Sequence, residues 1–133
     1  MISTPDKPTR VFIGENVSLV WRYYQPAHLT LVEVVFGRWR STGFVYPKLM
    51  FVNGSTGISN VKPRYESFVS WAGNLTSSLV VFILHNVQPS DGNVEFGMQM
   101  EFGFAHNPLT DIVGLQVEAK RKPISIEQRC VIF

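Results

Sequence analysis

From Val17 to Trp21 the chain alternates: Val17, Leu19 and Trp21 fall on one side, Ser18 and Val20 on the other. A period of two is the mark of a half-buried strand. Runs of the same kind recur at 11–13, 17–23, 30–36, 44–52, 67–71, 78–84, 94–102 and 112–118. Turn-forming clusters separate them, among them Gly14-Glu15-Asn16, Gln25-Pro26, Asn53-Gly54, Gly73-Asn74, Pro89-Ser90-Asp91-Gly92 and His106-Asn107-Pro108. No segment holds a 3.6-residue period through three turns, so no helix is predicted. About eight or nine short strands in roughly 110 residues predict an all-β, two-sheet sandwich. Within it, Val94, Phe96, Met98, Met100 and Phe102 form one inward row, and Val32, Val34 and Phe36 another.

Composition agrees with that pattern. Seventeen Val and ten Phe stand against four Ala, a balance that favours strands over helices. No apolar run reaches the 18 or so residues a membrane span needs, and the opening residues lack a basic-then-apolar leader. The 133-residue chain divides into one domain, 1–119, and a basic linker and tail, 120–133. Residues 1–118 carry eight Lys or Arg against nine Asp or Glu, and the excess of positive charge lies in Lys120, Arg121, Lys122 and Arg129. The body is thus near neutral and offers no broad footprint for nucleic acid. The tail is basic but also rich in Ile and Val, and is expected either to add a strand or to begin the link to a following domain.

Cysteine use and glycosylation motifs pull in opposite directions. The single Cys130 cannot form an internal disulfide, which fits a reducing compartment. Yet three N-glycosylation sequons occur, at Asn16, Asn53 and Asn74, where chance gives roughly one. We weigh the sequons more heavily and expect an extracellular, cell-surface glycoprotein.

Two stretches carry a family resemblance. "GENVSLVW", residues 14–21, is spelled like the second strand of an immunoglobulin domain, with Trp21 where that family has cysteine. In "SLVVFILHNVQPSDG", residues 78–92, Phe82, Leu84, Val87 and Asp91 match the passage from strand E into strand F. The chain therefore resembles the variable-type (V-set) immunoglobulin superfamily over residues 11–118. The resemblance implies an immunoglobulin-like sandwich without the inter-sheet disulfide, and a salt bridge between Arg64 and Asp91. Counting from Asp91 puts the family's tyrosine and second cysteine on Glu95 and Gly97; one extra residue after Asp91 puts them on Phe96 and Met98. Loss of that disulfide costs about 2–5 kcal/mol in a small domain. Burial of a large apolar side chain contributes about 1.5–3 kcal/mol. Trp21, packed opposite Phe96 or Met98, is expected to plug the gap. A V-set-like domain with sequons and without either cysteine is similar to the N-terminal ectodomains of hydroid allorecognition receptors. That likeness implies homophilic cell–cell binding by a parent protein anchored in a membrane outside this chain.

Enzyme chemistry is not expected. His28, His85 and His106 lack ligand spacing, and no nucleophile elbow, phosphate loop or Cys–His pair occurs, so no cofactor or metal is expected. The candidate interface is the outward face of the sheet holding the C, F and G strands: Glu33 and Val35; Glu95, Gly97, Gln99 and Glu101; Ile112, Gly114 and Gln116. Its glycines would let a partner's backbone approach. Two other readings stand beside protein recognition. One is a carbohydrate- or small-ligand-binding sandwich using Tyr23, Tyr24, Trp39 and Trp71. The other is a structural module of an intracellular or viral protein.

Overall fold

The computed structural model describes residues 1–25, 28–103 and 107–119; the tail with Cys130, and His106, lie outside the described residues. The elements are β-strands and short 3-10 turns. The strands are β1 (Thr9–Phe12), β2 (Val17–Arg22), β3 (Leu31–Arg40), β4 (Gly43–Phe44), β5 (Met50–Asn53), β6 (Ser59–Val61), β7 (Val69–Trp71), β8 (Leu79–Leu84), β9 (Glu95–Phe102) and β10 (Leu109–Glu118). They form two sheets. The larger runs β1-β10-β9-β3-β5-β6, with β4 paired to β3 off that path, and the smaller runs β2-β8-β7. Among the described residues, only β1 against β10 is parallel; every other strand pair is antiparallel. The N-terminal segment serves both sheets, since Ser3 bridges Arg22 of β2 before the chain crosses to lie along β10. Among the described residues no helix is long and apolar enough to cross a membrane.

Two strands are longer than expected, β3 running on to Arg40 and β10 starting at Leu109, and the pattern departs from expectation in three further places, each for a local reason. The run 44–52 is two strands, because Pro47 lacks the N–H a ladder requires. The short β6 is too polar to show in an apolar pattern. In β3 the register shifts between Leu31 and Glu33, a bulge that turns Leu31 inward and leaves Val32 53% exposed. The inward row is therefore Leu31, Val34 and Phe36, not Val32, Val34 and Phe36. On β9 the predicted row holds, with Phe96, Met98 and Met100 fully buried and Phe102 nearly so.

One apolar cluster joins the two sheets, and Trp21 is fully buried in it. The Trp21 indole makes edge-to-face contacts with Phe36, across the gap on β3, and Phe82, beside it on β8, each at 6.4 Å between centroids. Phe36 stacks on Phe82 at 4.5 Å and on Phe96 at 5.8 Å. Trp21 thus faces Phe36, with Phe96 one ring further along. Its polar end matters as much. Trp21 Nε1 donates to Asp111 Oδ2 at 2.8 Å, and Asp111 on β10 also pairs with Lys7. A buried indole N–H requires an acceptor. Here that acceptor comes from the opposite sheet, so one hydrogen bond ties β2 to β10.

The expected Arg64–Asp91 salt bridge does not form. The ion pairs among the described residues are Lys7–Asp111 and Arg10–Glu118. Asp91 is buried because it caps the 3-10 turn Pro89–Asn93, its Oδ2 accepting from the Gln88 N–H at 2.8 Å. Arg64 lies exposed, with its guanidinium 5.3 Å from the Tyr65 ring centroid. Arg38 crowds the same ring at 5.4 Å and reaches Phe68 at 5.3 Å. For Arg64, an aromatic ring stands where a carboxylate was expected.

Candidate recognition face

The pairing register brings the predicted interface residues together. Across β3 and β9, Glu33 stands opposite Glu101, Val35 opposite Gln99, and Gly37 opposite Gly97. Ile112 continues from Gly97 and Gly114 from Glu95. Arg10 of β1 lies opposite Gln116. All these side chains share the outer face of the larger sheet, since residues paired across a ladder point to the same side.

Two of the nine have nothing to offer a partner. Val35 is fully buried although it lies outside the inter-sheet cluster, hemmed in by its ladder neighbours Phe51 and Gln99. Gly97 is buried because the space above it is filled from within the chain. A β-carbon there would stand 2.7 Å from Trp39 Cε3 and 3.3 Å from Phe44 Cε1. The Gly37 position is closed in the same way by Phe44, at 3.1 Å. The two glycines therefore seat aromatic rings rather than a partner's backbone. Gly114 keeps the predicted character, with no atom within 4 Å of where its β-carbon would be.

The sequence reading missed this aromatic platform. Trp39 and Phe44 meet edge to face at 5.0 Å, and Trp39 Nε1 donates to the Ser41 carbonyl at 3.3 Å. Beside them Tyr46 is 78% exposed and Lys48 Nζ lies 5.3 Å from the Phe44 centroid. The signal was present as parity: Trp39 is two residues beyond Gly37 on the outward row, and a large side chain next to glycines on adjacent strands tends to fold over them.

Charge is distributed unevenly over this face. Glu33 and Glu101 stand directly opposite each other, and neither forms an ion pair among the described residues. Burial first, then the Glu101 charge, holds the Glu33 carboxyl above the usual carboxylate range, and Lys48 partly offsets them. At the other margin Arg10 Nη2 donates to both carboxylate oxygens of Glu118, at 2.8 and 3.1 Å. Gln116 donates to the same carboxylate at 3.0 Å, and Gln99 donates to Thr110 Oγ1 at 3.2 Å.

All three sequon asparagines are exposed and share one arrangement. Asn16 Oδ1 accepts from the Asn86 N–H at 3.0 Å. Asn53 Oδ1 accepts from Ser55 N–H, Ser55 Oγ and Thr56 N–H, and Asn74 Oδ1 from Ser77 N–H at 3.3 Å. Because backbone N–H groups require the oxygen end, each amide is oriented with its nitrogen, the atom that carries a glycan, left free. Asn53 closes β5 and is not clear of the face: its ladder partner is Glu33. Gly54, inside this sequon, packs on the β3 bulge so closely that a β-carbon would fall 2.1 Å from the Leu31 carbonyl oxygen.

Of the stacking candidates, Tyr23 is buried, and burial pushes its phenol above the usual range. Tyr24 is exposed, and Trp39 covers Gly97. Trp71 lines a cleft of about 350 Å³ together with Gln25, Ser55, Thr56, Asn74 and Thr76. No protein-family model matches this chain, and no curated protein matches it.

Proposed function

We propose that this chain is a V-set-like immunoglobulin domain that acts as an extracellular, cell-surface recognition module and binds its own kind across opposed cells. The strand order supports the fold part of this reading. A V-set domain places its C′ and C″ strands beside G, F and C, with B, E and D opposite. The order β1-β10-β9-β3-β5-β6 over β2-β8-β7 corresponds to that arrangement. The family resemblance in "GENVSLVW" and the 78–92 passage points the same way, as does its implication of homophilic allorecognition. Three free, exposed sequon nitrogens favour the secretory route over the intracellular alternative.

The observation that carries the binding reading is the outer face around Gly114. Here an open glycine and Ile112 adjoin the Trp39–Phe44 pair, a mix of small, apolar and aromatic groups of the kind interfaces favour. A partner footprint of about 800 Å² would be of standard size, although area alone does not set affinity. Weak pairs become visible through avidity, so the test is clustering of beads coated with the domain. Gly114→Arg should abolish clustering, whereas Ser18→Arg, on an exposed position of β2 in the opposite sheet, should not, and neither should Asn16→Gln, which accounts for the Asn16 sequon that Ser18→Arg also removes. Clustering that survives Gly114→Arg in folded protein would exclude this face; a wild-type domain that never clusters would exclude homophilic binding by the domain alone.

One observation favours a second reading. The Trp71 cleft combines an indole with hydroxyl and amide groups, as saccharide sites do. Binding on a glycan array that Trp71→Ala abolishes, with bead clustering absent, would select it.

A further inference from the structure

The candidate recognition sheet carries its own sequon. Asn53 and Glu33 are ladder partners, so the Asn53 side chain rises from the same face as Trp39 and Gly114. Its Oδ1 is occupied by three donors, which leaves Nδ2 pointing away from them. Around it lies an open basin of about 590 Å³, lined by Val32, Glu33, Phe51, Ile58 and Asn60. Val32 and Ile58 are 53% and 69% exposed, a marked apolar exposure at one end of a sheet. The bulge that turns Leu31 inward is what brings Val32 out, and β6 begins immediately after Ile58.

We propose that the innermost N-acetylglucosamine units of an N-linked glycan on Asn53 cover this basin, and that the glycan confines partner binding to the other end of the face. A pyranose ring offers a patch of C–H groups and a rim of hydroxyls. The basin offers Val32, Phe51 and Ile58 to the former, and Asn60 and Glu33 to the latter. A sugar anchored at the basin's edge pays little of the translational cost that a free saccharide would meet. The two ends of the face are well separated. Glu33 and Trp39 lie six residues apart on β3, about 20 Å at roughly 3.3 Å per residue. A glycan seated over Val32 therefore leaves Trp39, Phe44, Ile112 and Gly114 uncovered. The covering rests on the chain's being glycosylated; the confinement rests in addition on the homophilic reading.

The test uses the domain secreted from cells that attach high-mannose glycans, with peptide mass mapping to read Asn53 occupancy. Ser55→Ala removes this sequon while keeping Asn53, and Asn53→Gln removes it independently. Hydroxyl-radical labelling should modify Val32 and Ile58 several-fold less in the glycosylated protein than in either variant. That protection should persist after endoglycosidase trimming to one N-acetylglucosamine. Equal labelling in all forms, or an Asn53 that stays unmodified, would overturn the covering. On beads, Val32→Arg in the glycosylated protein should leave clustering intact, and Gly114→Arg should remove it. Loss of clustering with Val32→Arg would overturn the confinement while leaving homophilic binding in place. A wild-type protein that never clusters overturns both homophilic binding and the confinement, and the labelling still decides the covering.

Discussion

Removing the Asp111 carboxylate should loosen the joint between the sheets. Trp21 Nε1 is 2.8 Å from Asp111 Oδ2, and Trp21 is fully buried, so Asp111→Ala leaves an indole N–H without a partner inside the core. An orphaned buried donor costs about 1–3 kcal/mol, and a hydrogen bond to a charged group contributes about 1.5–3 kcal/mol. Lys7, the other partner of Asp111, is half exposed, and such pairs contribute about 0–1 kcal/mol. Trp21→Phe removes the donor and leaves a void, at an additional packing cost. The double-mutant cycle between Trp21→Phe and Asp111→Ala should therefore give a coupling of about 1.5–3 kcal/mol. Unfolding entropy of about 2.1 cal/mol/K per residue over roughly 120 residues makes 1 kcal/mol worth about 4 °C in Tm. The coupling should appear as about 6–12 °C in thermal melts, and as a shift in urea midpoint at constant slope. Asp111→Asn, which keeps an acceptor, should cost less than Asp111→Ala. A coupling below about 0.5 kcal/mol, or a Lys7→Ala cost equal to that of Asp111→Ala, would show that the Trp21–Asp111 bond does not tie the sheets.

Other expectations follow from the same geometry. Gly97→Ala should lose about 1–3 kcal/mol in denaturant titration, because Trp39 must move, whereas Gly114→Ala should be better tolerated. Asp91→Ala should cost about 0.5–2 kcal/mol through the lost cap and Arg64→Ala about 0.5 kcal/mol or less, with the two adding independently; a coupling between them would restore the ion pair excluded above. Glu33 binds its proton more tightly in the fold than in the unfolded chain, so its contribution is most favourable below the ordinary carboxylate range and is lost as pH rises through the raised value. Glu33→Gln should accordingly gain stability on wild type at neutral pH and lose that gain in acid, read as the Tm difference between the two proteins at each pH. Intact-mass measurement of secreted protein before and after glycosidase should show a decrease, and no change would favour the intracellular alternative.

The all-β class and most strand positions were legible because a half-buried strand writes its two faces into alternate residues. So was the β9 row of Phe96, Met98 and Met100, and with it the burial of Trp21, since each lies in a clean alternation flanked by turns. The parity of the candidate face followed from the same alternation: Glu33, Glu101, Ile112 and Gly114 share a side as expected. What parity cannot carry is occupancy. Whether a glycine is open, like Gly114, or seats a neighbour's ring, like Gly97, depends on which side chain from another strand reaches over it. The bulge at Leu31–Glu33 reversed Val32 because a single inserted residue inverts a period of two, and nothing in the apolar pattern marks where the ladder will slip. Asp111 shows the division most plainly. It lies just before the strand predicted at 112–118, and its place on β10 and its meaning both depended on Trp21, 90 residues earlier in the chain, needing an acceptor at that point between the sheets. Local periodicity sets which way each residue faces; only the packing of one sheet on the other decides what it finds there.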